Sequence, residues 1–139
     1  NVTFAAGVIQ RGDAGIIKHQ NTPAVTADDT AVVTAANILT GIVTCTPTGD
    51  RSKATDTAAN LISGLGLTAD DDSFDFAVII LSANSSALDL TLTAGTAVTL
   101  VGNMHISAPD VADASIASGS AQFRIRRTGS AAVSLYRIS

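Results

Sequence analysis

Residues 121–138 read AQFRIRRTGSAAVSLYRI, and their pattern decides the fold class. Ala121, Phe123 and Ile125 alternate with Gln122, Arg124 and Arg126, a period of two that belongs to a strand with one buried face. Thr128-Gly129-Ser130 reads as a turn and Ala132 to Ile138 as a returning strand, so the stretch predicts a β-hairpin. Upstream, Leu88, Leu90 and Leu92 alternate with Asp89, Thr91 and Thr93, Ala94-Gly95-Thr96 turns the chain, and Val98 and Leu100 lead to a Gly102-Asn103 turn. This spacing predicts another hairpin. In residues 74–81, Phe74, Phe76, Val78 and Ile80 face one way and Asp75, Ala77, Ile79 and Leu81 the other. That predicts a central strand, half polar at its start and buried on both faces at its end.

Further upstream the chain echoes itself. Thr34-Ala35-Ala36-Asn37-Ile38-Leu39-Thr40-Gly41-Ile42 returns as Thr57-Ala58-Ala59-Asn60-Leu61-Ile62-Ser63-Gly64-Leu65. In each copy the Thr can cap a helix start, and the Gly (Gly41, Gly64) can take the left-handed conformation that ends one, so two short helices are predicted at two similar corners. Between them Ile42 to Thr46 reads as a strand, Pro47 to Asp50 as a turn, and Gly66 to Ser73 as a solvated loop. Pro109 to Ser118 lacks a strong period and reads as a surface connection. The first thirty residues give two short strands in an irregular arm (1–30), ahead of a single domain over 31–139.

Composition agrees. All twelve acids are Asp, the eight basic residues are six Arg and two Lys, and Ala (24), Thr (17), Ser (13) and Gly (11) dominate. Without the Glu and Lys of helix surfaces, this mixture favours strands and turns. The charged fraction is 14% against a usual figure of about 25%, and mean hydropathy is +0.36, which excludes a disordered tail. So few charges on a small all-β domain imply that part of its surface is hidden against copies of itself or a larger assembly. A net charge of −4 and no basic stripe argue against nucleic acid. Leu90 to Pro109 is free of Asp, Lys and Arg but alternates at a period of two, which is not a membrane helix. The residues from Asn1 onward lack the charged and apolar regions of a secretion signal.

Chemistry-bearing motifs are sparse. His19 and His105 are the two histidines, there is no GxSxG elbow, and Cys45 between two threonines reads as a buried small hydrophobe. Asp70-Asp71-Asp72 lacks the alternation and the Glu of a calcium loop, with Leu81 at the twelfth position. Gly64 to Ala69 matches a loose GxGxxA but follows a helix and not a strand, which rejects dinucleotide binding. Arg11-Gly12-Asp13 reads as a turn, and Asn1-Val2-Thr3 and Asn84-Ser85-Ser86 are glycosylation sequons that matter only along a secretory route. No enzymatic activity, metal or cofactor is expected. Arg124, Arg126, Arg127 and Arg137 cluster on the last hairpin, where cross-strand neighbours can bring three together; a salt-bridged surface between subunits is expected there over a polyanion site.

Three segments carry a resemblance: TAANILTGIVTCTPTGDRSKATDTAANLISGL, SFDFAVIILSANSSALDLTLTAGTAVTLVGN and AQFRIRRTGSAAVSLYRIS. Together they resemble a group of small tailed-bacteriophage virion proteins, including those of cyanophages, that carry TGDR before a Thr-Ala helix, TLxAGTxVTLVGN and a closing FRxRRTG. The likeness spans Thr34 to Ser139, about three quarters of the chain. Thr55-Asp56 stands where that group has Leu-Pro, and Ile80-Leu81-Ser82 where an Asn is common. The resemblance implies a noncatalytic β-rich domain that trimerises on the virion, as capsid cement or as part of a fibre.

The combined expectation is an all-β, β-sandwich or jelly-roll-like domain with two short helices, assembled as a homotrimer that decorates and stabilises a phage capsid. Its partners would be its own copies and the major capsid protein, with no nucleic acid and no membrane. A head or tail fibre domain contacting a host receptor is the alternative. Val2, Phe4, Val8, Ile9, Ile16 and Ile17 of the arm, gripping by strand addition, and Arg124, Arg126 and Arg127 are the expected contact residues.

Overall fold

Strand-forming alternation dominates the chain, and the structure follows it. The computed structural model describes residues 8–10, 16–18, 21–81, 88–108 and 119–139, the first two spans as backbone alone. Among these the elements run β1 (Val8–Gln10), β2 (Ile16–Lys18), β3 (Ala24–Thr26), α1 (Ala35–Leu39), β4 (Ile42–Cys45), β5 (Arg51–Ala54), α2 (Ala58–Leu65) and β6 (Ser73–Ile80). They continue with β7 (Leu90–Thr93), β8 (Val98–Val101), β9 (His105–Ile106), β10 (Ser120–Gly129) and β11 (Ala132–Arg137). The chain is therefore mostly β with two short helices. A six-stranded sheet has the order β3-β4-β6-β10-β11-β8, a three-stranded sheet β5-β7-β9, and β1 and β2 pair with each other. Both larger sheets are mixed: β3, β4 and β6 run parallel, as do β8 with β11 and β5 with β7.

The hairpin predicted at 121–138 forms as β10 and β11, with Phe123 opposite Arg137 and Ile125 opposite Leu135. Its strand runs on through Gly129 past an irregularity after Arg127, so the reversal falls at Ser130-Ala131, one residue later than read from sequence. β6 lies between β4 and β10, the predicted central position. Its inner row, Phe76, Val78 and Ile80, is buried, but its outer row ends on a half-buried Ile79 and a Leu81 that is 54% exposed. Burial on both faces at this strand's end is thus corrected.

The predicted hairpin of residues 88–100 is also corrected. β7 joins β5 and β9, whereas β8 pairs with β11 in the other sheet. Leu90 and Leu92 and then Val98 all reach the same core, and they do so from two different sheets. The link between them presses Gly95 against the Thr55 and Asp56 carbonyls, where an added Cβ would lie 2.4 and 2.3 Å from their oxygens. Only glycine permits that approach.

The two echoing segments sit side by side. Val33 and Thr55 form a parallel bridge immediately before α1 and α2. Thr34 caps α1 by accepting from the Asn37 N–H, and Thr57 caps α2 by accepting from that of Asn60. Gly41 takes a positive φ of 82° just after α1, as expected. Gly64 does not end α2; the helix continues to Leu65 and Gly66 (φ 68°) closes it. At Gly64 a Cβ would stand 2.6 Å from that of Ala35, so this glycine lets the two helices touch.

One core draws on both sheets and both helices. It includes Ile38 and Leu61 of the helices, Val43, Cys45, Phe76, Phe123, Ile125 and Leu135 of the large sheet, and Leu90, Leu92 and Ile106 of the small one. Phe76 and Phe123 stack at a ring separation of 5.5 Å. β5 was not foreseen as a strand, and it buries Lys53, which is 1% exposed and donates to Asp29 at 2.7 Å. The connection expected at 109–118, the Arg11-Gly12-Asp13 turn, His19 and both sequons lie outside the described residues. Among the described residues no helix is long and apolar enough to cross a membrane.

Candidate functional site

Alternation sends one side chain in two to the outer face of the six-stranded sheet. The strand registers arrange these residues in rows. Val25, Thr44, Ile79 and Ser120 form the first, and Ile42, Ala77 and Gln122 the second. Asp75, Arg124, Tyr136 and Val101 form the third, and Ser73, Arg126, Ser134 and Thr99 the fourth. One half of the face is therefore uncharged, mixing Val25, Ile42, Ala77 and Ile79 with Thr44, Ser120 and Gln122, and the other carries charge and an aromatic ring. Val25 is 78% exposed and Val101 42%, while Ile42, Ala77 and Ile79 are half-buried. A dimple of about 190 Å³ lies at the small residues Gly41 and Ala77, between Asp75 and Gln122.

On the polar half, the arginines are paired within the chain. Arg124 donates Nε and Nη2 to the two oxygens of Asp75 at 2.7 and 2.8 Å. Those hydrogen bonds, against the cost of burial, hold the Asp75 carboxyl below its ordinary value. Arg126 donates to Asp71 and, through Nη1, to the Tyr136 hydroxyl at 3.3 Å. The hydroxyl contact and then the Asp71 pair raise Arg126 further above its already high value, and the same contact, helped by Ser134, lowers that of Tyr136. Arg127 departs from the other two. It turns to the opposite side of the hairpin, donates to the Leu67 and Gly129 carbonyls and pairs with Asp70 at 3.2 Å. Arg137 joins Arg124 and Arg126 instead, and these three line one cavity with Tyr136 and Ile138.

The Asp70-Asp71-Asp72 loop is exposed, yet each carboxylate has a task. Asp70 and Asp71 meet Arg127 and Arg126. Asp72 accepts from the Ala69 and Thr68 N–H groups at 2.8 Å, which lowers its carboxyl value, the Ala69 bond contributing most. Asp71 adopts a positive φ of 72°, a conformation its short polar side chain tolerates. Among the described residues no group of three metal-ligating side chains converges.

On the small sheet, His105 is tethered at both ring nitrogens, Nε2 2.9 Å from Asp89 and Nδ1 3.2 Å from the Thr91 hydroxyl. Thr91 and His105 are register partners on adjacent strands, a closeness that fourteen residues of separation in sequence conceal.

Of the arm residues, Val8 and Ile9 lie on β1 and Ile16 and Ile17 on β2, with Ile9 opposite Ile17 and Gln10 opposite Ile16. Val2 and Phe4 lie outside the described residues. β3, within the same first thirty residues, forms an edge of the six-stranded sheet with β4 as its neighbour. The chain just after it is anchored by Asp28 to Arg51 at 2.7 Å and by Asp29 to Lys53. Sequence reasoning missed Val25, Tyr136 and Ile138 as site residues. The signal for Tyr136 was its cross-strand register with Arg124; nothing local marked Val25. Comparison with protein-family models, with curated proteins and with solved structures finds no match.

Proposed function

We propose that this chain is a noncatalytic virion structural protein that decorates and stabilises a bacteriophage capsid as a homotrimer, its two larger sheets forming a β-sandwich or jelly-roll-like domain. The observation that carries this reading is the exposed apolar surface on the uncharged half of the outer sheet face, where Val25 at 78% exposure shares two rows with Ile42, Ala77 and Ile79. A low-charge chain that keeps such a patch is suited to covering it with another subunit. Burying about 400 Å² of apolar surface there contributes on the order of 10 kcal/mol before association costs, comparable with the stability of a whole domain. β3 ends this face as an edge strand, and the arm that feeds into it can reach capsid protein or a neighbouring subunit by strand addition. The sequence resemblance to tailed-phage virion proteins points the same way.

The test is binding of the purified chain to phage capsids lacking their decoration protein, with light scattering to count subunits. A trimer that binds saturably and makes capsids more heat-resistant is the expected result. Val25→Asp should leave a folded chain that no longer trimerises, and deletion of the arm should abolish capsid binding. Failure to bind capsids combined with attachment to host cells would transfer the chain to the fibre class.

A further inference from the structure

We propose that β8 is the contact strand of a symmetric pair of chains, in which the β8 edges of two copies run antiparallel and join their six-stranded sheets into one. β3 and β8 are the edges of that sheet, and β5 and β9 those of the three-stranded one. An open edge offers unpaired N–H and C=O groups to any other strand, and proteins blunt it with shortness, charge, proline or a covering segment. β3 has three residues between Pro23 and the Asp28-Asp29 pair, and β9 has two residues. β5 carries Arg51 and Lys53 and is backed by Val33, whose N–H donates to the Ala54 carbonyl at 2.9 Å. β8, four residues from Val98 to Val101, carries no charge and no proline, and no strand covers its outer side among the described residues.

The register shows which backbone groups are on offer. Val133 donates to the Ala97 carbonyl at 3.3 Å, and in the parallel pairing Val98 faces Val133 and Leu100 faces Leu135. In that pattern the N–H and C=O of Thr99 and Val101 point to β11, while those of Leu100 point outward, where no partner lies among the described residues. Two antiparallel β8 strands therefore exchange both bonds between one Leu100 and the other, on a two-fold axis. The same register sets Thr99 of one chain opposite Val101 of the other on the outer face, at the close spacing of a non-hydrogen-bonded pair. Thr99 is exposed and Val101 is 42% exposed, so the pairing covers both side chains, and symmetry does so twice.

Charge selects a second copy as the partner. Across a two-fold axis any charge on the strand meets its own copy, and like charges on facing strands repel. From Leu90 to Pro109 the chain has no Asp, Lys or Arg, so β8 and the turns on either side of it bring none to the junction. A strand from a different protein imposes no such condition; self-pairing does. Arg137, beside Gly102 just past the strand, is held by the Asn103 and His105 carbonyls, and antiparallel pairing sends its two copies to opposite ends of the ladder. β8 and Val25 sit at opposite edges of the sheet. The pairing is thus separate from the contact proposed around Val25 and stands whether or not the chain decorates a capsid.

The experiment is oxidative cross-linking of the full chain carrying Thr99→Cys and Val101→Cys together, read on a non-reducing gel and by peptide mass mapping. Light scattering of the parent, Val101→Lys and Val25→Asp over a range of concentrations accompanies it. A covalent dimer linked from position 99 of one chain to position 101 of the other is expected, because the facing pair lies within disulfide reach. Cys45 is buried and takes no part. Val101→Lys, a change at an exposed position, removes both Val–Thr contacts and puts two ammonium groups on one short ladder, which should weaken the dimer about tenfold. Val25→Asp should keep it. A folded double-cysteine variant that stays monomeric on oxidation overturns the proposal, as do links joining 99 to 99 or 101 to 101, or parent affinity in folded Val101→Lys. Trimers without the 99-to-101 link overturn it and leave the capsid reading intact, whereas linked dimers that bind no capsid do the reverse.

Discussion

The two faces of the six-stranded sheet are built on the same strands and meet opposite fates. On the inner face, Phe76, Phe123, Ile125 and Leu135 are each at most 4% exposed and enclosed by helices and a second sheet. On the outer face, Val25, Leu81, Val101 and Ile138 keep between 42% and 78% of their surface. Alternation explains why both faces exist, but the contrast lies in what opposes them. The inner face is satisfied by the chain itself, whereas the outer face carries exposed apolar side chains beside charges paired within the chain. Buried apolar surface is concentrated on one side of the sheet, and exposed apolar surface with paired charges on the other.

The sharpest way to break this contrast is to remove a large side chain from each face. Phe123→Ala should cost about 3–5 kcal/mol of unfolding free energy, since it deletes a fully buried ring stacked on Phe76. Val25→Ala, measured where the chain is unassembled, should change stability by less than about 0.5 kcal/mol. Urea unfolding of both variants checks the pair, and equal losses would mean that the outer face is covered within the chain.

Next in size is the link between the two sheets. Gly95→Ala drives a methyl group into the Asp56 carbonyl and should cost about 3 kcal/mol, visible as a lowered Tm. The buried cation comes third, and there the order of effects is the prediction. Asp29→Ala strands the Lys53 ammonium in the core and should destabilise more than Lys53→Met, which replaces the pair's buried member with an apolar chain of similar length. Paired thermal melts of the two variants decide the order.

The smallest effects belong to the caps. Thr57→Ala should cost about 1 kcal/mol by freeing the Asn60 N–H. Asp56 adds a pH dependence. Burial alone would raise its carboxyl value, but hydrogen bonds from the Asn60 side chain and from the Ala35 and Thr57 N–H groups outweigh burial and hold it below 3.8. A carboxyl lowered by folding contributes stability that is complete above its unfolded value and is lost as pH falls through the folded one. Stability measured from pH 5 downward should therefore fall less steeply in Asp56→Asn than in the parent.

How far the fold could be read in advance follows from the range of the signals. β6, β10 and β11 were legible because inside–outside alternation is local and strong, and the caps at Thr34 and Thr57 because a hydroxyl three residues before an amide is local too. The false hairpin at 88–100 shows the limit. A turn that reverses a strand beside its neighbour and one that passes to the facing sheet use the same small residues, and only the close approach at Gly95 distinguishes them. β5 was hidden because Lys53 reads as a surface residue until Asp29, 24 positions away, is brought to it. At the arginine cluster, alternation placed Arg124 and Arg126 on one face, but Arg137, opposite the inward Phe123, lines their cavity only because it lies where the last strand ends, while Arg127 turns away to the Leu67 carbonyl.

Asp56 has one more consequence, for the order in which the chain opens. One of its carboxylate oxygens accepts from Ala35 at the start of α1, and the other from Thr57 and Asn60 at the start of α2. α1 is five residues long and α2 eight, both too short to persist alone in water. The carboxylate and the Val33–Thr55 bridge tie the two helix starts together, which predicts that the helices open jointly. Amide protons in the two helices should exchange with solvent as one unit, in a single opening event shared by segments 23 residues apart.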